Sequence, residues 1–237
     1  MREPEKPELR LIGAGGFKAA LERLAKHFET TTGYPATIRI GTPAETRQLM
    51  GGGYRFDVAV VTGHTLTDAV ADSIDSATRF SIAKSPVGMG VRADVEAPFI
   101  TSEASLRDAL RSVQTIALSD PAAGTLLANH VLKAAELLDL RSTIEGKARY
   151  MNGPGFIVAR RVASGEADSV ITLATEIISA EGIRYLGALP DSMGLGTVFD
   201  ATVARSPLDG DAARAFHGFL KTSAASDLMR STGLVVL

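Results

Sequence analysis

The sequence predicts an α/β protein of two lobes, each a sheet flanked by helices. Strands and helices alternate as βαβαβ over residues 9–62, and the same alternation resumes from residue 102. Two long extended segments, near 80–92 and 193–204, carry the chain out of the first stretch and back to it. The chain has 237 residues, enough for two domains of about 100 residues each. The expected lobes are 1–83 with 199–237, and 84–198.

"LRLIG" (9–13) reads as a short strand, and Phe17, Leu21, Leu24 and Phe28 follow at helical steps of four, three and four. Gly33 should end that helix. "ATIRIG" (36–41) is a second strand, Thr42 to Met50 a second helix closed by the glycines at 51–53, and "FDVAVVT" (56–62) a buried third strand. Right-handed crossovers then predict a parallel sheet with helices on both faces.

Beyond "TRFSIAKSPVGMGVR" come a helix at 102–112, the strand "TIALSD" (115–120), a long helix from Gly124 to Leu138 and "ARYM" (148–151). A helix at 155–166 and strands at 168–174 and 183–190 complete the second unit. "TVFDATVARS" (197–206) reads as a return strand, and 209–234 as two closing helices. In such folds ligands bind outside the carboxyl ends of the strands.

Composition narrows the function. Hydrophobic residues make up 45% of the chain and the formal net charge is -2, which excludes both a disordered chain and a basic nucleic-acid footprint. There is no cysteine, so disulfides, thiolate metal sites and cysteine nucleophiles are absent. No apolar run approaches the ~20 residues of a membrane span. "MREPEKPELR" is charged where a secretory signal needs an apolar run of roughly 7–15 residues. The expected location is cytoplasmic if this start is native, and periplasmic if a leader has been removed. Neither a serine-hydrolase elbow nor a metal-ligand cluster occurs, and no cofactor is expected.

The "GAGGF" turn fails as a dinucleotide fingerprint, because a GxGxxG beginning at Gly13 requires glycine where Lys18 stands. It is not a P-loop either, since no GK[ST] follows. Gly15 and Gly16 still let the backbone approach a ligand closely, and the amides at a helix amino end favour an anion. A tight corner without a ligand is the alternative for any one such turn. The pattern recurs, however, in "GTPAE" (41–45), with Thr42, Pro43 and a capping-box acid at Glu45, and in "SDPAAGTLLA" (119–128) and "MNGPGFIVA" (151–159). Four helix amino ends could converge on one cleft and hold a small dianion. Arg47, Arg79 and Arg205 are the nearest cations by sequence.

These elements resemble the periplasmic-type solute-binding proteins of the molybdate-binding branch, which also includes aconitate isomerases. The resemblance runs from Leu9 to Leu234 and is carried by "GAGGFKAALERLAKHFETTTG", "FDVAVVTG", "SATRFSIAKSPVGMGV", "SDPAAGTLLANHVLKAAELLDL", "RRVASGEADSVIT" and "ARAFHGFLKTSAASDLMRSTGL". It implies a type II clamshell of two lobes with mixed sheets, a ligand cleft between them, hinge closure and a monomer. For the site it implies a serine at Gly16, a hydroxyl at Thr42, backbone amides at Gly124 with Thr125 and at Gly155 with Phe156, and a tyrosine at Leu173. Gly15, Phe17, Pro43 and Gly153 complete the expected ligand-binding set.

Two hydroxyls that would surround a tetrahedral oxyanion are thus replaced at Gly16 and Leu173, which makes room for a carbon-bearing anion. Phe17 and Phe156 either line that cleft or begin the apolar stripes of their helices. The resemblance implies binding of a small anion, read here as a carboxylate, and transfer to an ABC-type permease. The alternative is an isomerase of a di- or tricarboxylate, for which Thr42, Glu45, Thr125 and Glu176 are the catalytic candidates. His130 lies on the helix after "AAGT", two turns in, and reads as a packed or surface histidine; His27, His64 and His217 have no carboxylate or serine at motif spacing.

Overall fold

The computed structural model describes residues 6–123 and 126–237. The chain divides into two compact units, Met1–Lys84 with Val198–Leu237, and Ser85–Thr197. Among the described residues no helix is long and apolar enough to cross a membrane.

In the first unit β1 (Leu9–Ala14), β2 (Ala36–Gly41) and β3 (Val58–Thr62) run parallel, with β1 central; Leu11 lies opposite Ile38 on one side and Val58 on the other. β4 (Ile74–Arg92) begins in this unit, and β9 (Gly196–Ala204) inserts antiparallel beside β3, giving the order β2-β1-β3-β9-β4. β10 (Val235–Val236) pairs antiparallel with β4. The sheet is therefore mixed, as the resemblance implies, and not wholly parallel as the crossovers alone predict. A βαβ crossover fixes the direction only of the strands it joins, and β9 arrives from far along the chain.

A 3-10 turn, Gly15–Phe17, leads into α1 (Lys18–Thr32), whose Leu21, Leu24 and Phe28 are buried. Gly33 ends it at φ 77, a left-handed position that glycine takes without a Cβ clash. Phe28 meets Phe216 of α8 (Gly210–Phe219) edge-on at 5.1 Å. α2 (Pro43–Gly51) contributes Met50 to a second cluster with Ile12, Phe56, Val61 and Val70. α9 (Ser223–Arg230) closes the unit behind its Thr222 cap.

In the second unit β5 (Ile116–Ser119), β6 (Ala148–Met151) and β7 (Ser169–Leu173) are parallel, Ser119 lying opposite Met151. The later part of β4 pairs antiparallel with β7 and with β8 (Ile183–Ala188). α3 (Glu103–Ser112), expected over 102–112, starts behind a Ser102 cap. Of the long helix expected over 124–138, the first two residues lie outside the described ones; α4 covers Leu127–Ala135, a 3-10 turn takes Glu136–Leu138, and Asp139 turns left-handed at φ 54. A further helix not anticipated from the sequence, α5 (Arg141–Lys147), follows. α6 (Gly155–Ala163) packs Val158 and Val162 against Val170 and against Ile177 of α7 (Ala174–Ile178).

One device recurs in both units. Asp57, buried before β3, accepts the amides of Arg10 (2.7 Å) and Leu208 (2.6 Å). Asp168, before β7, accepts those of Gln114 (2.9 Å) and Thr115 (3.0 Å). Each carboxylate satisfies backbone donors where loops leave the sheet, and so fixes where the parallel strands begin.

Candidate functional site

In the first unit the carboxyl ends of β1, β2 and β3 open into three turns. After β1, Gly15, Gly16 and Phe17 form the 3-10 turn, and Ala14 before them makes no side-chain cap. Phe17 is fully buried, edge-on to Phe199 at 5.3 Å. Of the two roles open to it, core packing is the one it fills.

After β2, Thr42 and Glu45 form a reciprocal capping box with Pro43 at the first helical position. The Thr42 amide donates to the Glu45 carboxylate (2.7 Å), and the Glu45 amide donates to Thr42 Oγ1 (3.3 Å). Bonds from the Thr42 backbone and hydroxyl hold the Glu45 carboxyl below its usual range. That stabilises the helix start and makes Glu45 a weaker base. One turn on, the buried Thr46 Oγ1 has no partner among the described residues.

After β3 the chain turns through Thr62, Gly63, His64 and Thr65. Thr62 Oγ1 lies 2.8 Å from Thr65 Oγ1 and 3.2 Å from His64 Nε2. Two arginines reach this turn. Arg47 Nη1 donates to the His64 carbonyl at 3.3 Å, and Arg79 packs so close to Gly63 that a Cβ there would sit 3.3 Å from its Nη2. Arg79 Nε donates to the buried Asp200 (2.8 Å), which also accepts Ser81 Oγ (2.8 Å). Arg205 instead donates to the Ala71 carbonyl.

A groove of about 1120 Å³ also runs along β2 and α2, lined by Arg10, Arg39, Gly41, Glu45 and Tyr54 among others. It follows the strands rather than gathering at their carboxyl ends. Its cations are engaged locally, Arg10 with Glu8 at 3.5 Å and Arg39 over the Tyr54 ring at 5.1 Å.

In the second unit β5 leads to the 3-10 turn Pro121–Ala123, where Asp120 accepts the Ala122 amide at 2.9 Å. Gly124 and Thr125 lie outside the described residues. After β6, Gly153 is left-handed at φ 111 and Pro154 precedes α6. Phe156, on the first turn of α6, is half-buried.

The amino end of α6 is filled from within the protein. Glu176, 5% exposed, takes a hydrogen bond from Thr172 Oγ1 (2.6 Å) and from the backbone N–H groups of Leu173 and Phe156. Burial nevertheless raises its proton affinity, outweighing those bonds. Gly155 is required by this contact, since a Cβ there would lie 2.0 Å from Glu176 Oε2 and 2.1 Å from Thr172 Oγ1. The Phe156 amide, expected from the sequence as a ligand donor, thus already serves an internal acceptor. Leu173 is buried at the end of β7 and is the N-cap residue of α7.

The four histidines are dispersed: His27 stacks on Phe219, His64 sits in the β3 turn, His130 is exposed on α4, and His217 donates to the Thr78 carbonyl. No group of three or more metal-ligating side chains occurs among the described residues. The strand ends therefore offer amides, threonine hydroxyls and a guanidinium, all of them donors suited to an anion. Arg79 with Asp200 could not be recognised from sequence, because the two stand 121 positions apart.

Comparison with known proteins agrees with the architecture. The model of the bacterial extracellular solute-binding protein family matches residues 9–235. An aconitate isomerase from Pseudomonas sp. is 25% identical over 232 residues, covering 95% of this chain and 87% of its own length. Among solved structures, the periplasmic molybdate-binding protein of Azotobacter vinelandii superposes with a TM-score of 0.76 at 22% identity, over 97% of this chain and 99% of that one. L-phospholactate-bound PEB3, a Campylobacter jejuni protein, gives 0.74 at 12% identity over 96% and 99%.

Proposed function

The chain belongs to the bacterial extracellular solute-binding protein family, and from that premise we propose that it binds a small di- or tricarboxylate through the carboxyl-end turns of its parallel strands and delivers it to an ABC-type permease. The carboxylate assignment rests on Gly16 and Leu173. Where the molybdate-binding pattern has a serine and a tyrosine, this chain has a buried glycine and a buried leucine. A tetrahedral oxyanion needs donors around its whole surface, and each missing charged hydrogen bond costs about 1.5–3 kcal/mol. A planar carboxylate on a carbon skeleton needs fewer donors and gains from apolar neighbours.

A thermal-shift panel of molybdate, sulfate, phosphate, citrate and trans-aconitate tests this reading. The tricarboxylates should raise the melting temperature most. Stabilisation by molybdate above that by either tricarboxylate would overturn the carboxylate assignment.

The likeness to an aconitate isomerase over nearly the whole chain favours a second reading, in which the bound tricarboxylate is isomerised. A proton would leave a carbon next to a carboxylate and one would return to the allylic carbon. Of the two glutamates at strand ends, Glu176 has its proton affinity raised by burial and Glu45 has it lowered by the capping bonds. Interconversion of cis- and trans-aconitate followed by proton NMR decides: unchanged isomer after prolonged incubation leaves the binding reading alone.

A further inference from the structure

We propose that Arg79, clamped by the buried Asp200, is the residue that selects carboxylate-bearing anions at the carboxyl end of β3. The inference rests on the carboxylate reading above and names the group that would enforce it.

Asp200 lies on β9 opposite Val61, one residue before the end of β3, and is 4% exposed. Its two oxygens divide the work: Oδ1 accepts Ser81 Oγ at 2.8 Å, and Oδ2 accepts Arg79 Nε at 2.8 Å and Nη2 at 2.5 Å. A buried carboxylate requires such partners. The guanidinium is thereby fixed by one edge, while its side chain remains 39% exposed. Among the described residues Nη1 has no hydrogen-bond partner. The free edge is an oriented pair of donors, the geometry that suits a carboxylate.

A lysine would neutralise Asp200 equally well but would present no second edge. The position of the clamp supports a binding role. Arg79 Nη2 lies against Gly63, in the turn where Thr62, Thr65 and the Arg47 contact to the His64 carbonyl already gather donors. Asp200 cancels the charge of Arg79, so the pair contributes directed donors, and Arg47 brings the uncompensated positive charge to the same turn.

Calorimetric titration of wild-type protein, Arg79→Lys and Arg79→Gln with citrate, trans-aconitate and molybdate tests the proposal. The expected result is tricarboxylate affinity weakened about tenfold or more in both variants, the value of one charged hydrogen bond, with ligand-free melting temperatures unchanged in Arg79→Lys. If Arg79→Gln fails to fold because Asp200 is left unpaired, Arg79→Gln with Asp200→Asn removes both charges and gives the same readout. Tricarboxylate binding retained within about tenfold in the folded variants overturns the role of Arg79 and leaves the carboxylate reading standing. Wild-type protein that binds neither tricarboxylate overturns both together.

Discussion

Glu45 and Glu176 occupy the same place in two helices, and their environments drive them in opposite directions. Each is the third helical residue, in α2 and in α7, and each reaches back to the backbone N–H of its N-cap residue, Thr42 in one case and Leu173 in the other. At α2 the cap is a threonine that returns the bond, the glutamate is exposed, and its proton affinity falls. At α7 the cap is a leucine that cannot reciprocate. Thr172 and the Phe156 amide of the neighbouring helix take over, but the carboxyl is buried and desolvation raises its proton affinity. The same helical position thus carries a carboxyl of lowered proton affinity at the surface and one of raised proton affinity when buried, and solvent access separates the two.

The largest effect should come from destroying the space that makes the buried case possible. Gly155→Ala drives a methyl to 2.0 Å from Glu176 Oε2, so either the carboxyl or the start of α6 must move. A loss of about 3 kcal/mol is expected in urea unfolding. A loss under about 1 kcal/mol would show that the α6 amino end yields easily, and that burial there is looser than at a core position.

Next comes Glu176 itself. Glu176→Ala orphans the Thr172 hydroxyl and the Phe156 amide and should cost about 2–3 kcal/mol, whereas Glu176→Gln keeps the shape and a neutral head group and should cost about 1 kcal/mol or less near pH 5. Because burial raises the folded-state value above the ordinary glutamate value of 4.5, the stability linked to this proton is complete below that ordinary value and is lost as pH rises through the folded one. The Gln variant should therefore gain on wild type as pH is raised from about 4 to 8 in thermal melts. A constant gap across that range would mean that Glu176 is not a desolvated acid.

What could be read in the sequence follows the same division between local and distant. Gly33 closing α1 and Pro43 and Glu45 opening α2 are decided within one turn of helix, and the sequence shows them. The contact of Glu176 with Phe156 and Gly155 depends on two helices packed side by side, and Arg79 with Asp200 on strands 121 positions apart. No local pattern encodes either. β10 has two residues and forms only because β4 offers it an edge. The helix expected over 124–138 tightens to a 3-10 turn at Glu136–Leu138, and the apolar spacing, which continues through those residues, carries no sign of that change. At the site, Thr42 and Phe17 could be placed on their elements, whereas the internal filling of the α6 amino end could not.

The exposed cap gives the smaller effects. Thr42→Ala removes the acceptor for the Glu45 amide and should cost about 1 kcal/mol. If Thr42 also touches the ligand, tricarboxylate affinity should fall with it, while Glu45→Gln, which keeps the fold of the cap, leaves affinity in place.

Glu45→Ala should be the mildest change, about 0.5 kcal/mol, because solvent screens an exposed capping carboxylate. Its pH dependence is opposite to that of Glu176. The capping bonds hold the folded-state value below the ordinary glutamate value of 4.5, so the contribution is present above that ordinary value and disappears as pH falls through the folded one. Thermal melts of wild type and Glu45→Ala should converge below about pH 4 and separate above about pH 5, and added salt should narrow the separation. A gap that instead widens on acidification would place Glu45 in the same class as Glu176, and solvent access could then no longer account for the difference between the two caps.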